Sequence, residues 1–113
     1  MKIYHNPRCT KSREALVIIK KKTSEFEIIE YLKNPLTVEE IKVLLPKLNI
    51  KARELIRTQE GIWKEKYKGK ILTDNEIINI MAENPKLIES PIVEHNNKAV
   101  IGRPAENILS LFT

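Results

Sequence analysis

The one cysteine of this sequence, Cys9, lies where a side chain could act as a nucleophile. It follows a turn-forming Asn-Pro-Arg segment and immediately precedes a helical pattern, so the unpaired amides of the first helical turn would point toward its sulfur. Arg8 could add positive charge beside it, and the Ser12 hydroxyl could donate a hydrogen bond to it from the same turn. All three effects lower the pKa of a thiol, and the thiolate is the reactive form. The pattern therefore predicts a reactive Cys9.

A lone thiol restricts the chemistry that is open to the chain. With no second cysteine, an intrachain disulfide is excluded, and an oxidised or adducted Cys9 would have to be resolved by an external thiol. This pattern favours a reducing compartment. The alternative is that Cys9 is simply a small apolar residue at the edge of a core, because free cysteine is among the most frequently buried residue types.

The residues around Cys9 indicate a strand, a tight loop and a helix. Residues 2–5 have strand character, and apolar Ala15, Leu16 and Ile19 then recur on one helical face. A second β-rich run follows at residues 26–29, after a helix of crossover length. This order predicts a right-handed βαβ unit with parallel strands.

The middle of the chain has helical periodicity. Capping boxes are predicted where Thr37 precedes Glu40 and where Thr73 precedes Glu76. Pro46 falls inside the first of these helices and is expected to bend it or end it early.

The pattern changes near the end of the chain. Residues 91–94 and Lys98–Ile101 are rich in β-branched residues and are separated by Asn96 and Asn97, which indicates a β-hairpin. Pro104 then favours the start of a closing helix over Ala105–Phe112. The complete order predicts one α/β domain over residues 1–113, with a thioredoxin/glutaredoxin-like fold. Its four-stranded mixed sheet would be interrupted by a helical insertion at about residues 36–88.

Composition limits the classes of function. The net charge of +5 suits a small anionic substrate, and nucleic-acid binding is not expected because no helix-turn-helix or RNA-binding motif accompanies the charge. Three of the lysines, at positions 20–22, fall at the end of the first predicted helix, where cations favour the helix dipole. With neither a membrane-spanning apolar run nor a secretory leader, the sequence predicts a soluble, cytoplasmic protein. A monomer is the simplest expectation.

Four segments of the sequence together resemble the glutaredoxin-coupled arsenate reductases of the ArsC-like family. The longest is IYHNPRCTKSR, residues 3–13, and it is followed in the family's order by RELIR (53–57), SPIV (90–93) and IGRP (101–104). A Cys-x-x-Ser motif alone would be a weak signal, whereas the long string and the three spaced segments are specific.

The resemblance implies a mechanism and its partners. Cys9 would attack arsenate and form an arsenic–sulfur adduct, glutathione would add to it, and glutaredoxin would take up the glutathione as arsenite leaves. Glutathione is then a co-substrate, and no bound cofactor or metal is expected.

The resemblance also implies site residues. Arg57 and Arg103 take two places in an oxyanion pocket, His5 helps to tune the thiolate, and Pro91 corresponds to the fold's cis-proline. From the residues alone, Arg57 and Arg103 could equally be surface or ion-paired arginines, and His5 a structural histidine.

One position departs from the family's pattern. A third arginine typically precedes the hairpin proline, and this chain has Ser90 there. Losing one charge-assisted hydrogen bond would weaken anion binding by about 1.5–3 kcal/mol, and Arg8 is the candidate that could compensate.

Two other functions remain open on the sequence. One is an ArsC-like thiol protein that acts on glutathione or protein thiols, which Ser90 favours. The other is a non-catalytic binding module similar to the Spx-type regulators, which contact RNA polymerase. Those proteins typically carry a Cys-x-x-Cys switch, whereas Ser12 stands at the second of these positions here.

Overall fold

The computed structural model describes residues 1–112 and divides the chain into two compact units. The first contains residues 1–34 together with the C-terminal segment from residue 90, and the second contains residues 35–89. The helical insertion was predicted at about residues 36–88, which is almost the range of the second unit.

The first unit is a four-stranded mixed sheet with two helical segments. Its elements are β1 (Lys2–Tyr4), α1 (Thr10–Lys22), β2 (Glu27–Ile29), β3 (Ile92–His95), β4 (Lys98–Ile101) and a closing 3₁₀ helix (Ala105–Phe112). The strand order is β2-β1-β3-β4, in which β1 and β2 are parallel and the other pairs are antiparallel. The predicted α/β class, mixed sheet and thioredoxin-like arrangement are confirmed.

One apolar cluster joins the sheet of the first unit to its helices. The central strands β1 and β3 supply one buried residue each, and α1 and the closing helix supply two each. In that order, these are Ile3, Val93, Ala15, Ile19, Ile108 and Leu111. Since the two residues from α1 lie four positions apart, they occupy one face of the helix, as the sequence periodicity predicts. This packing fixes the start of α1 against the end of β1, where the candidate nucleophile lies.

The second unit is mainly helical. It contains α2 (Val38–Leu48), α3 (Ala52–Leu55), α4 (Gly61–Lys66), α5 (Asp74–Glu83) and a short 3₁₀ turn (Pro85–Leu87). Both predicted capping boxes form, and in each the threonine side chain accepts from the glutamate amide while the glutamate accepts from the threonine amide. A single antiparallel bridge, which the sequence did not indicate, pairs Ile56 with Ile88.

Of the two effects expected of Pro46, a bend or an early end of the helix, the early end does not occur. α2 continues through Pro46 to Leu48 and ends at Asn49, which adopts a left-handed conformation with φ 56°. Pro46 removes one backbone donor, the amide that would bond the Lys42 carbonyl, and only two helical residues follow it. The Asn49 amide closes the helix by donating to the carbonyls of Leu45 and Pro46.

The predicted boundaries need two small corrections. β1 ends at Tyr4, one residue before His5, and β3 begins at Ile92 and extends to His95. The hairpin turn between β3 and β4 has Asn96 at φ 57°, a conformation that asparagine tolerates. No helix within residues 1–112 is long and apolar enough to cross a membrane.

Replacing Gly102 with alanine is expected to lower the free energy of unfolding by about 1–3 kcal/mol, the usual cost of overpacking. A Cβ at this position would lie 2.9 Å from Pro91 Cγ and 3.1 Å from Ile108 Cδ1. Gly61→Ala is the matched control, because a Cβ there would meet no described atom within 4 Å. Urea denaturation followed by circular dichroism measures both variants, and equal losses of stability would contradict the prediction.

Candidate active site

Cys9 is the N-cap residue of α1, and a compact turn holds it there. The Cys9 amide donates to Asn6 O at 3.0 Å, and the Arg8 amide donates to Asn6 Oδ1 at 3.0 Å. Arg13 secures the turn from the helix by donating from Nη1 to Pro7 O at 2.9 Å. The Cys9 sulfur makes no short capping bond, but it lies at the N-terminus of α1, where the amides of Lys11 and Ser12 act on it.

Arg103 reaches the sulfur from the other end of the chain. Its Nη2 donates to Cys9 Sγ at 3.3 Å, and its Nε donates to the Ser90 carbonyl oxygen at 2.6 Å. Arg103 follows β4, and Ser90 precedes β3, so the hairpin brings both residues to the same end of the sheet. The guanidinium is thereby fixed by one backbone oxygen and directed at the thiol.

These contacts determine the ionisation of Cys9. Partial burial by itself raises the pKa of the thiol, because a charged sulfur loses solvation. The amides of Ser12 and Lys11, the charge of Arg103 and the Ser90 hydroxyl act in the opposite direction and together hold the pKa below its ordinary value. The thiolate is thus the favoured form at a lower pH than in a free cysteine.

The expected source of positive charge needs a correction. The sequence predicts that Arg8 lowers the pKa of Cys9, but Arg8 is exposed, and the guanidinium that acts on the sulfur is that of Arg103. Sequence adjacency is a poor guide here, because neighbouring side chains in a turn point in different directions, whereas Arg103 lies 94 positions away and touches the sulfur.

His5 and Ser12 form a buried pair behind the cysteine loop. His5 Nδ1 lies 2.7 Å from Ser12 Oγ, which also accepts a hydrogen bond from the Asn6 amide at 3.0 Å. Burial is the main cause that lowers the pKa of His5, and Arg13 lowers it further while Glu30 acts against the shift. A mostly neutral imidazole therefore holds Ser12 in place at neutral pH.

Ser90 has a feature that sequence reasoning missed. Its side chain is 1% exposed, and Ser90 Oγ makes no hydrogen bond of good geometry to any of residues 1–112. An unpaired buried hydroxyl costs about 1–3 kcal/mol. The sequence showed only the absence of an arginine at this position, since burial and partners are properties of the folded chain.

The Ser90–Pro91 peptide bond, the position that the resemblance gave to a cis-proline, is cis. The amide of Gly102 donates to the Pro91 carbonyl oxygen at 2.8 Å, which ties this bond to the end of β4.

Arg57 belongs to the second unit. Its Nη1 lies 3.3 Å from a Glu60 carboxylate oxygen, and its Nε lies 3.7 Å from one of Glu89. The side chain is about a quarter exposed. Of the predicted site residues, the structure brings Cys9, Arg103, Ser12 and His5 together within the first unit, and it gives Arg57 two acidic partners in the second.

Arg103→Gln is expected to raise the pKa of Cys9. At pH values below the wild-type midpoint, alkylation by iodoacetamide should slow about tenfold or more, because a hydrogen bond to a charged group contributes about 1.5–3 kcal/mol. Arg8→Gln is the comparison and should leave the midpoint of the pH–rate profile unchanged. An equal shift in both variants would show that net charge, rather than the Arg103 contact, controls the thiol.

Comparison with known proteins identifies the family. The ArsC family model matches residues 4–111. The chain is 39% identical to an arsenate reductase of Neisseria meningitidis over 96% of its own length and 94% of the relative, and 44% identical to the Escherichia coli protein YfgD over 98% and 95%. The solved structure of an arsenate reductase from Vibrio cholerae superposes with a TM-score of 0.93 at 41% identity, covering 98% of both chains. The site just described is therefore built on a shared scaffold, and the chain belongs to the ArsC family.

Proposed function

We propose that this protein is an arsenate reductase in which Cys9 is the nucleophile. The observation that carries the proposal is the 3.3 Å contact between Arg103 Nη2 and Cys9 Sγ at the N-terminus of α1. It places a guanidinium, which suits a tetrahedral oxyanion, beside a thiol whose pKa is lowered. Relatives named arsenate reductases, aligned over almost the whole chain, support the same substrate.

In the proposed reaction, the Cys9 thiolate attacks the arsenic of protonated arsenate, and one oxygen leaves as water or hydroxide as the arsenic–sulfur bond forms. Glutathione then adds to the arsenic with loss of a second oxygen as water. A thiolate of glutaredoxin attacks the glutathione sulfur, and the electron pair of that sulfur–arsenic bond reduces arsenic from the +5 to the +3 state. Water releases arsenite and regenerates Cys9. The single thiol of the chain is consistent with this dependence on external thiols.

Arg103 has two tasks in this proposal. Before attack, it stabilises the thiolate, and during attack, its guanidinium can donate to the arsenate oxygens as negative charge develops on them. Its Nε bond to the Ser90 carbonyl keeps the group directed while the sulfur changes partners. His5 acts through Ser12, whose position it fixes.

The family resemblance, independently of the structure, suggests Arg57 as a second oxyanion ligand, and the exposed Arg8 is the candidate for an auxiliary one. Glu60 and Glu89 orient the Arg57 guanidinium, but their negative charges also compete with an anion. With Ser90 at the third arginine position, weaker arsenate binding is expected than three free arginines would give. The protein would act in a reducing cytoplasm as a monomer with no bound cofactor.

A second candidate function is supported by Ser90. With a neutral hydroxyl at position 90, Arg103 is the one guanidinium in contact with Cys9 among the described residues, which suits attack on an uncharged sulfur atom, such as that of glutathione disulfide or a glutathionylated protein thiol. Cys9 would then attack the disulfide sulfur and release a thiolate.

The test is arsenate-dependent oxidation of NADPH in an assay coupled through glutathione, glutathione reductase and glutaredoxin. Wild-type protein is expected to turn over arsenate, and Cys9→Ser is expected to lose this activity because its hydroxyl is not ionised at neutral pH. Omitting glutaredoxin should also stop the reaction.

The decisive negative result is a folded wild type with an alkylatable Cys9 that gives no arsenate-dependent oxidation, in an assay where a known reductase works. Activity with glutathione disulfide in place of arsenate would then support the second candidate.

Arg57→Ala is expected to raise the KM for arsenate about tenfold or more, because a charge-assisted hydrogen bond contributes about 1.5–3 kcal/mol. The pH profile of Cys9 alkylation should not change, since Arg57 is not among the groups that act on the thiol. Arg53→Ala is the matched control: this exposed arginine, four positions earlier, donates to the Leu72 carbonyl. Steady-state kinetics of both variants measures the difference, and equal KM values would remove Arg57 from the oxyanion site.

A further inference from the structure

Ser90 is the outlier among the buried polar residues of the first unit. The other two, His5 and Ser12, are bonded to each other, whereas Ser90 Oγ has no partner of good geometry within residues 1–112. Buried hydroxyls are almost always hydrogen-bonded, so an unpaired one usually indicates a group that is absent or changes state.

The backbone around Ser90 is fixed by hydrogen bonds, and its side chain is shielded from solvent. Arg103 Nε holds the Ser90 carbonyl at 2.6 Å, and the next residue is bonded through its own carbonyl to the Gly102 amide at 2.8 Å. The side chain itself is 1% exposed. The hydroxyl therefore cannot exchange a protein partner for bulk water without a change in the fold.

The group beside this hydroxyl that changes state is Cys9. Arg103 bonds the Ser90 carbonyl with one nitrogen and the Cys9 sulfur with another, so both residues lie against one guanidinium. A neutral thiol is a weak acceptor, whereas a thiolate is a strong one. The Ser90 side chain lowers the pKa of Cys9, which is the direction expected when a hydroxyl donates to the charged sulfur.

We propose that Ser90 is a state-dependent donor to Cys9: its hydroxyl bonds to the sulfur when the sulfur is negatively charged and is unpaired when the thiol is protonated. The same bond would stabilise the sulfur when it is expelled as a leaving group. Ser90 thus has a function of its own in this chain, at the position where the family's pattern has an arginine. The inference rests on Cys9 being the reacting group of the proposed function.

The test is the pH–rate profile of Cys9 alkylation by iodoacetamide in Ser90→Ala. Below the wild-type midpoint, the rate is expected to fall about tenfold, near the lower end of what a hydrogen bond to a charged group contributes. Ser90→Gly removes the same hydroxyl and is measured beside it, so the result does not depend on one variant folding. Ser110→Ala, which removes an exposed hydroxyl of the closing helix, is the matched control and should match the wild type.

A second measurement separates this role from simple packing. Because folding lowers the pKa of Cys9, thiol ionisation contributes stability that is present above the unfolded thiol's pKa and is lost as the pH falls through the folded pKa. Ser90→Ala should therefore be destabilising at high pH and neutral or stabilising at low pH. In a Cys9→Ser background this pH dependence of the Ser90→Ala effect should disappear.

Other titratable groups are accounted for in the same comparison. The sulfur is acted on from α1 by the Lys11 and Ser12 amides and from the segment after β4 by Arg103, while His5 titrates behind Ser12. All of these groups are the same in the proteins with and without Ser90→Ala in each background, so their contributions cancel in the difference between the two. An unchanged alkylation profile in Ser90→Ala and Ser90→Gly, or a stability effect independent of pH and of Cys9, would overturn the proposal. Alkylation needs no arsenate, so this result is independent of whether the proposed reductase activity is found.

Discussion

The bond from Arg103 to the Ser90 carbonyl is the constraint on which the arrangement of the site depends. When a long, flexible side chain contacts a thiol, the loss of its conformational entropy ordinarily offsets most of the free energy that the contact contributes. Here the hydrogen bond from Arg103 Nε to the Ser90 carbonyl, at 2.6 Å, orients the guanidinium. In this orientation Nη2 lies 3.3 Å from the Cys9 sulfur. The hairpin and the close approach of Gly102 to Pro91 keep donor and acceptor at the same end of the sheet.

Two kinds of stabilisation act on Cys9, and they have different origins. The amides of Lys11 and Ser12 are supplied by the helix itself, so they follow from local sequence as soon as α1 forms. Arg103 and Ser90 are supplied by tertiary structure and depend on correct pairing of β3 with β1. Both are needed because partial burial, which protects the thiolate from solvent, acts on its pKa in the unfavourable direction.

The fold could be predicted from the sequence because the signals for its helices, strands and turns are local. The periodicity of α1, the threonine caps of α2 and α5 and the asparagine turn at Asn96 all appear in the structure as predicted. Sequence reasoning did not foresee that α2 continues past Pro46 to Leu48, because the capping by Asn49 that closes the helix depends on a left-handed backbone conformation. At the site, the family resemblance grouped Arg103 with Cys9, and Arg103 Nη2 lies 3.3 Å from the sulfur, whereas the local sequence suggested Arg8 as the nearest charge. The exposure of Arg8, the two carboxylates around Arg57 and the burial of Ser90 all arise from contacts distant in sequence, and no local pattern encodes them.

The separation of Cys9 and Arg103 by 94 positions makes the acidity of the thiol a property of the folded sheet. In an unfolded chain the sulfur lacks both the Arg103 guanidinium and the Ser90 hydroxyl, so it ionises as an ordinary cysteine does. The lowered pKa appears only when β3 has paired with β1 and the hairpin has formed. The ionisation of Cys9 therefore reports whether the first unit has folded.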